Sequence, residues 1–94
     1  MRTPWGESQH IEVKEPGLYF VSTSSHGGFK VETPLLDKIP ADWRRASFNG
    51  QGIGGWFEED CDWSLVALTF PQHFTAGDLE AAQSTFDHYI RPKL

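Results

Sequence analysis

The chain has 94 residues, which is enough for one domain with a single modest core, and we expect residues 1–94 to form that domain. Aromatic side chains make up 14% of the sequence, so a few large rings must supply much of the buried area. The formal net charge is −5, with only eight Lys and Arg residues. This balance argues against a protein that binds nucleic acid directly, because such proteins usually carry a basic face.

The cysteine count and the hydropathy of the chain predict a cytoplasmic protein. Cys61 is the only cysteine, which excludes an internal disulfide and any dependence on an oxidising compartment. No apolar run approaches the ~18 residues of a membrane span. The N-terminal residues 1–5 also lack the apolar stretch of a signal peptide. We therefore expect a cytoplasmic location and no contact with a membrane.

The first third of the chain predicts a small antiparallel sheet. Polar and apolar residues alternate over 9–15, where Ile11 and Val13 fall on one side, as in a half-buried strand. Residues 18–24 are rich in β-formers and 29–32 alternate again, with glycine-containing turns between the segments. Together they predict a three-stranded meander, which needs something packed on its apolar face to be stable.

Prolines divide the middle of the chain into short helical turns. Thr33 is expected to cap a turn over 35–38, and a second turn, restarted by Pro40, is expected over 39–46. Residues 47–55 contain four glycines and an asparagine, which predicts either a mobile loop or a set of tight turns.

Two longer helices are predicted after residue 59. Residues 60–70 fit the apolar spacing of a helix face but also fit a short buried strand, and we favour the helix. Thr75 is expected to cap a helix over 76–90, which Pro92 ends. The predicted fold class is therefore α+β, with a three-stranded antiparallel sheet followed by helices packed on one face.

The segment 54–63 departs most from an average sequence, since it places aromatic rings beside a run of carboxylates. Adjacent carboxylates repel one another and favour water or a cation, whereas large rings favour burial. We expect an acidic rim displayed above buried rings, and such a rim would attract the basic surface of a partner. Tryptophan is also over-represented among the residues that dominate binding energy. The residues predicted to bind a partner are Glu58, Glu59, Asp60, Asp62, Trp43 and Trp56.

Catalytic or metal-dependent chemistry is the alternative. Cys61 and His26 could join the neighbouring carboxylates, either as a nucleophile–base pair or as metal ligands. No spacing in the sequence matches a zinc or EF-hand pattern, and negative neighbours raise the pKa of a thiol, which opposes a nucleophilic role. We therefore predict no metal, no cofactor and no catalytic residue. A small enzyme or metal-dependent module that uses His26, Cys61 and the nearby carboxylates is the second hypothesis.

Three motifs stand out in the chain as a whole: Thr3-Pro-Trp-Gly6 with Gln9, then His26-Gly-Gly28, and finally Gly55-Trp-Phe-Glu-Glu-Asp-Cys-Asp-Trp63. In this order they resemble a family of small proteins of unknown function found in bacteriophages, plasmids and other mobile elements. The resemblance extends over residues 3–74 and assigns no activity to individual residues. It implies a small acidic protein of a mobile element. In that setting many proteins, anti-CRISPR proteins among them, bind and block a host defence machine.

The predicted function is a non-enzymatic inhibitor that acts by protein–protein contact. Its most concrete form is an anti-CRISPR-like protein that covers a nucleic-acid-binding basic surface of a host protein or ribonucleoprotein complex. The protein itself would not contact nucleic acid. Its binding would weaken with salt, because exposed charge pairs are screened over ~8 Å at physiological ionic strength.

Overall fold

In the computed structural model, which describes residues 1–94, the chain begins with a two-stranded ribbon. Strands β1 (Arg2–Thr3) and β2 (Gly6–Glu7) pair antiparallel around a tight turn. The Thr3 hydroxyl donates to the carbonyl of Gly6 at 2.7 Å and accepts the backbone N–H of Trp5 at 3.0 Å. These bonds hold the turn that carries the Trp5 ring.

The main sheet has four antiparallel strands in the order β3, β4, β5, β6. Their bounds are β3 (His10–Glu15), β4 (Leu18–Ser22), β5 (Gly27–Val31) and β6 (Trp56–Glu58). The predicted meander corresponds to β3, β4 and β5, but the prediction of a single three-stranded sheet is wrong. Strand β6 and the ribbon were missed because runs of two or three residues are too short to show a period of two.

Strand β3 lies at the edge of the sheet, and the prediction that it is half-buried is also wrong. Ile11 and Val13 are both exposed, Val13 by 61%. The helix that packs on the sheet contacts β5 and β6 at the other side, so it does not cover β3.

Three helices follow the meander, interrupted by β6. They are α1 (Ala41–Ala46), α2 (Trp63–Thr69) and α3 (Ala76–Thr85), and α3 continues into a π-helical turn over Phe86–Ile90. Helix α2 confirms the helix favoured over 60–70, and α3 with its π turn confirms the helix over 76–90. None of the helices is long and apolar enough to cross a membrane.

Of the two predicted helix caps, the structure confirms Thr75 and contradicts Thr33. Thr75 caps α3 through a reciprocal pair of hydrogen bonds with Asp78, at 3.0 and 3.1 Å. Thr33 caps nothing: Pro34 precedes the 3₁₀ turn Leu35–Lys38, and no side chain accepts a hydrogen bond from its first N–H groups. The N–H of Leu36 is instead paired with the backbone carbonyl of Glu32 at 3.1 Å.

The core lies between the sheet and the helices. Helix α2 packs against β5 and β6, and α3 packs on α2. Burial of these apolar side chains is the main force that holds the layers together. The buried cluster comprises Leu18, Phe29, Val31, Ile39, Phe57, Leu65, Val66, Phe70, Phe86 and Ile90.

The glycine-rich segment Phe48–Gly54 forms consecutive tight turns, which is one of the two predicted alternatives. The Ser47 hydroxyl accepts the N–H of Gly52 at 2.7 Å and donates to the carbonyl of Arg44 at 2.6 Å. The segment ends at Gly55, whose φ of +89° favours glycine. The chain then enters β6 and delivers the carboxylates that follow it.

Candidate functional site

The acidic turn, residues 58–62, is organised by the side chain of Glu58. Its Oε1 accepts the backbone N–H groups of Cys61 at 2.6 Å and Asp62 at 2.8 Å, and its Oε2 accepts that of Asp60 at 2.7 Å. Hydrogen bonds to an ionised acceptor are short and strong, so these three fix the path of the turn. Glu58 thus has a structural role in addition to any role in binding.

Asp62 lies at the end of the turn and is buried. Only 1% of its surface is exposed, and its Oδ2 accepts the backbone N–H of Phe48 at 2.8 Å. The pKa of Asp62 is raised from 3.8 to about 6, chiefly because the carboxyl is buried; the Phe48 hydrogen bond partly opposes the rise and the charge of Glu58 adds to it. The expectation that all four carboxylates form an exposed rim is therefore wrong for Asp62. Its other oxygen has no hydrogen-bond partner in the chain.

Glu59 and Asp60 are the exposed carboxylates of the acidic turn. Glu59 lies beside a shallow groove of about 290 Å³, which Phe20, Trp63 and Phe74 also line. Asp60 lines a second, larger cleft. The turn therefore presents negative charge to two separate depressions, and partner binding by these two residues stays a prediction.

The two tryptophans predicted to anchor a partner lie apart from each other. Trp56 is half-buried on β6, where its ring meets that of Trp5 edge-on at 5.7 Å and Lys30 Nζ lies 4.7 Å from its centre. Trp43 is half-buried on α1, with its ring centre 4.8 Å from that of Phe86. Trp56 therefore contacts Trp5 and lies two residues before the acidic turn. Trp43 lies on the side of α1 that packs against the core.

The larger depression, which we name the Trp5 cleft, has a volume of about 630 Å³. Aromatic side chains from three distant parts of the chain line it: Trp5, Phe48 and Tyr89. The carboxylates of the acidic turn that line it are Glu58, Asp60 and Asp62. Gln51, His26, Cys61 and Lys93 contribute further polar groups. An apolar wall with a few convergent polar groups is the usual form of a binding site.

His26 and Cys61, the residues of the second hypothesis, both line the Trp5 cleft. Burial raises the pKa of the Cys61 thiol, and the charges of Glu58, Asp62 and Asp60 add to the rise. The thiol is therefore protonated at neutral pH, which disfavours nucleophilic attack. No three His, Cys, Asp or Glu side chains are arranged so that they could hold a metal ion.

The comparison with known proteins gives a family for this chain. A family model described as a domain of unknown function, DUF7007, matches residues 1–93. The chain belongs to this family. No curated protein matches the chain, and no solved structure matches it. The DUF7007 match includes every residue that lines the Trp5 cleft, from Trp5 to Lys93.

The residues predicted to bind a partner did not include six that line the cleft, namely Trp5, Phe48, Asn49, Gln51, Tyr89 and Lys93. The sequence of this DUF7007 chain contained one signal for Trp5, namely the occurrence of its motif together with the glycine pair Gly27-Gly28. In the structure the Trp5 ring lies directly on Gly28. A Cβ at Gly28 would collide with that ring and with the carbonyl of Phe57. The first two motifs of the sequence therefore meet in space, and the second glycine of His26-Gly-Gly28 makes room for the tryptophan of the first motif.

Proposed function

We propose that this DUF7007 protein acts by protein–protein binding and presents the acidic turn to a basic surface of its partner. The observation that carries the proposal is that Asp60 and Glu59 are exposed on a turn whose backbone Glu58 fixes with three hydrogen bonds. A turn held in this way loses little conformational freedom when a partner binds, so less of the interaction energy is lost to ordering.

Electrostatics support the same proposal. The chain carries a net charge of −5, so it attracts a positively charged partner over a distance. Neither Glu59 nor Asp60 forms an ion pair with a cation of its own chain. Their charges are therefore available to Lys or Arg on another protein.

The most concrete form of the proposal is an anti-CRISPR-like inhibitor of a host defence complex in the bacterial cytoplasm. The resemblance to proteins of mobile elements supplies the setting. A protein or ribonucleoprotein that grips nucleic acid has a basic surface, and an acidic protein bound there would block it. Trp56, beside the acidic turn, is the better placed of the two predicted tryptophan anchors. Trp43, packed on Phe86, is the less well placed of them.

The test is to neutralise the two exposed carboxylates together, as Glu59→Gln with Asp60→Asn. The matched control is Asp37→Asn with Glu80→Gln, which removes two exposed charges elsewhere on the chain. We expect the wild type and the control to capture a basic host complex and to lower its affinity for duplex DNA in a gel-shift assay. The acidic-turn variant should do neither. Equal capture by both double variants would overturn the proposal.

The second candidate is a small enzyme or metal-dependent module, and the common location of His26 and Cys61 in one cleft favours it. The discriminating variants are His26→Ala and Cys61→Ala, together with metal analysis of the purified protein. If His26 and Cys61 are catalytic, these variants should lose an activity while their melting temperatures stay unchanged. If the two residues have a structural role, the variants should have lowered melting temperatures instead.

A further inference from the structure

We infer that the Trp5 cleft is a binding site for an arginine side chain that the partner protein inserts into it. The inference rests on the proposed function, because it takes the ligand to be a side chain of a partner protein. It goes further in naming the chemical group and the place where that group binds. Three independent features of the cleft support it.

The first feature is the charge of the cleft. Three carboxylates line it, those of Glu58, Asp60 and Asp62, against the single ammonium group of Lys93. Lys93 Nζ donates to the carbonyl of Ala46 at 3.2 Å and forms no ion pair. The cations of the chain therefore leave an excess of negative charge in the cleft, which a cationic ligand would neutralise.

The second feature is a surplus of hydrogen-bond acceptors. Asp62 is 99% buried, and only one of its carboxylate oxygens has a partner, the N–H of Phe48. The Oε1 atom of Gln51, another lining residue, is buried and also has no donor. A buried acceptor such as Gln51 Oε1 is normally paired, and the second Asp62 oxygen is not fully enclosed, so both are open to a ligand that brings donors. A guanidinium group has five N–H donors and no acceptor.

The third feature is the aromatic wall. Phe48 and Tyr89 are 48% and 58% exposed, and the half-buried Trp5 ring also lines the cleft. A guanidinium plane stacks on such rings and loses less hydration than an ammonium group does. Its planar fork can also reach two separated acceptors at once, which favours arginine over lysine.

The test is a titration followed by ¹H–¹⁵N NMR. The probe is a blocked Gly-Arg-Gly peptide. The controls are the same peptide with lysine and with citrulline, which has nearly the shape of arginine but no charge. We expect saturable shifts of the Trp5 indole N–H and of the Phe48 amide with the arginine peptide. The citrulline peptide should bind at least about tenfold more weakly, because it cannot make charge-assisted hydrogen bonds.

Two variants locate the site. Asp62→Asn keeps an acceptor for the Phe48 N–H but removes the charge, and Tyr89→Ala removes an exposed ring without touching the core. Each should weaken the arginine peptide by about tenfold, whereas Glu80→Gln on the exposed side of α3 should leave its affinity unchanged.

The outcomes separate this inference from the proposed function. Absence of saturable shifts, equal binding of citrulline and arginine peptides, or shifts confined to residues outside the cleft would each overturn the inference. If a basic partner is still captured through Glu59 and Asp60 in that case, the proposed function stands without it. If the arginine peptide binds in the cleft but the acidic-turn variant captures the partner as well as the wild type does, the site stands and the proposed role of the acidic turn fails.

Discussion

The backbone N–H of Phe48 donates a 2.8 Å hydrogen bond to Oδ2 of Asp62. This bond joins the glycine-rich segment Phe48–Gly54 to the residue that precedes helix α2. It also brings Phe48 and Asp62 together in the lining of the Trp5 cleft. One contact thus links the stability of the turn to the shape of the candidate site, and its energetic consequences are measurable.

The buried carboxyl of Asp62 should make the protein less stable as the pH rises from about 4 to about 7. Its pKa is about 6 in the folded state against 3.8 as the unperturbed value, so the unfolded chain loses this proton first. Above pH 6 the group is ionised in both states, and the folded state then carries a cost of about 3 kcal/mol. Asp62→Asn removes this cost and keeps an acceptor for Phe48. Urea unfolding should show its advantage over the wild type growing from pH 4 to pH 8, and an advantage independent of pH would contradict the account.

Glu58 should contribute more to stability than its neighbour Glu59 does. Glu58→Ala removes the acceptor of three backbone N–H groups, which water can only partly replace, so we expect a loss of about 2–4 kcal/mol in unfolding free energy. Glu59→Ala alters an exposed side chain and should change the unfolding free energy by less than about 0.5 kcal/mol. Chemical denaturation of both variants checks this, and equal losses would show that the turn does not depend on Glu58.

Gly55 and Gly54 are adjacent but should respond very differently to alanine. Gly55 has a φ of +89°, and a Cβ there would collide with the carbonyl oxygen of Val31. We expect Gly55→Ala to cost about 3 kcal/mol or more. A Cβ at Gly54 meets only a Trp56 ring atom at 4.0 Å, so Gly54→Ala should stay within about 0.5 kcal/mol of the wild type. Thermal melts of the pair measure the difference, and similar melting temperatures would refute it.

Cys61 should react slowly with thiol reagents at neutral pH. Burial and the surrounding carboxylates raise the pKa of its thiol, so little of the reactive thiolate is present. In urea the burial, which is the larger cause, is removed, and the same cysteine should react faster although its neighbouring carboxylates remain. Asp60→Asn should increase the rate in the folded protein by removing one of the negative charges. A folded protein that reacts as fast as the unfolded chain at pH 7 would instead support the second hypothesis of a reactive cysteine.

Local sequence patterns predicted the elements that local forces determine. The alternation and turns of β3, β4 and β5 and the Thr75 cap of α3 are properties of neighbouring residues, and these elements form where they were expected. Strand β6 pairs with β5 although two short helical turns and the glycine-rich segment separate them in sequence. Its three residues carry no pattern of their own.

The candidate site was less predictable, because it depends on contacts between distant residues. Asp62 is buried, and its carboxylate accepts a backbone N–H from another segment; no property of residues 58–62 predicts that contact. Trp5, Phe48 and Tyr89 converge on one cleft from the N-terminal ribbon, the glycine-rich segment and the π turn. Sequence reasoning identified the acidic side of the cleft and missed the aromatic side.

The edge-on contact between Trp5 and Trp56, with ring centres 5.7 Å apart, gives the molecule a built-in optical probe. Two indoles at that separation couple their strong electronic transitions, so the far-ultraviolet circular dichroism should contain a paired signal that Trp5→Phe abolishes. Because Trp5 forms one side of the cleft and Trp56 lies on the sheet, the signal follows the seating of the N-terminal ribbon. Occupancy of the cleft could then be followed by spectroscopy without attaching a label.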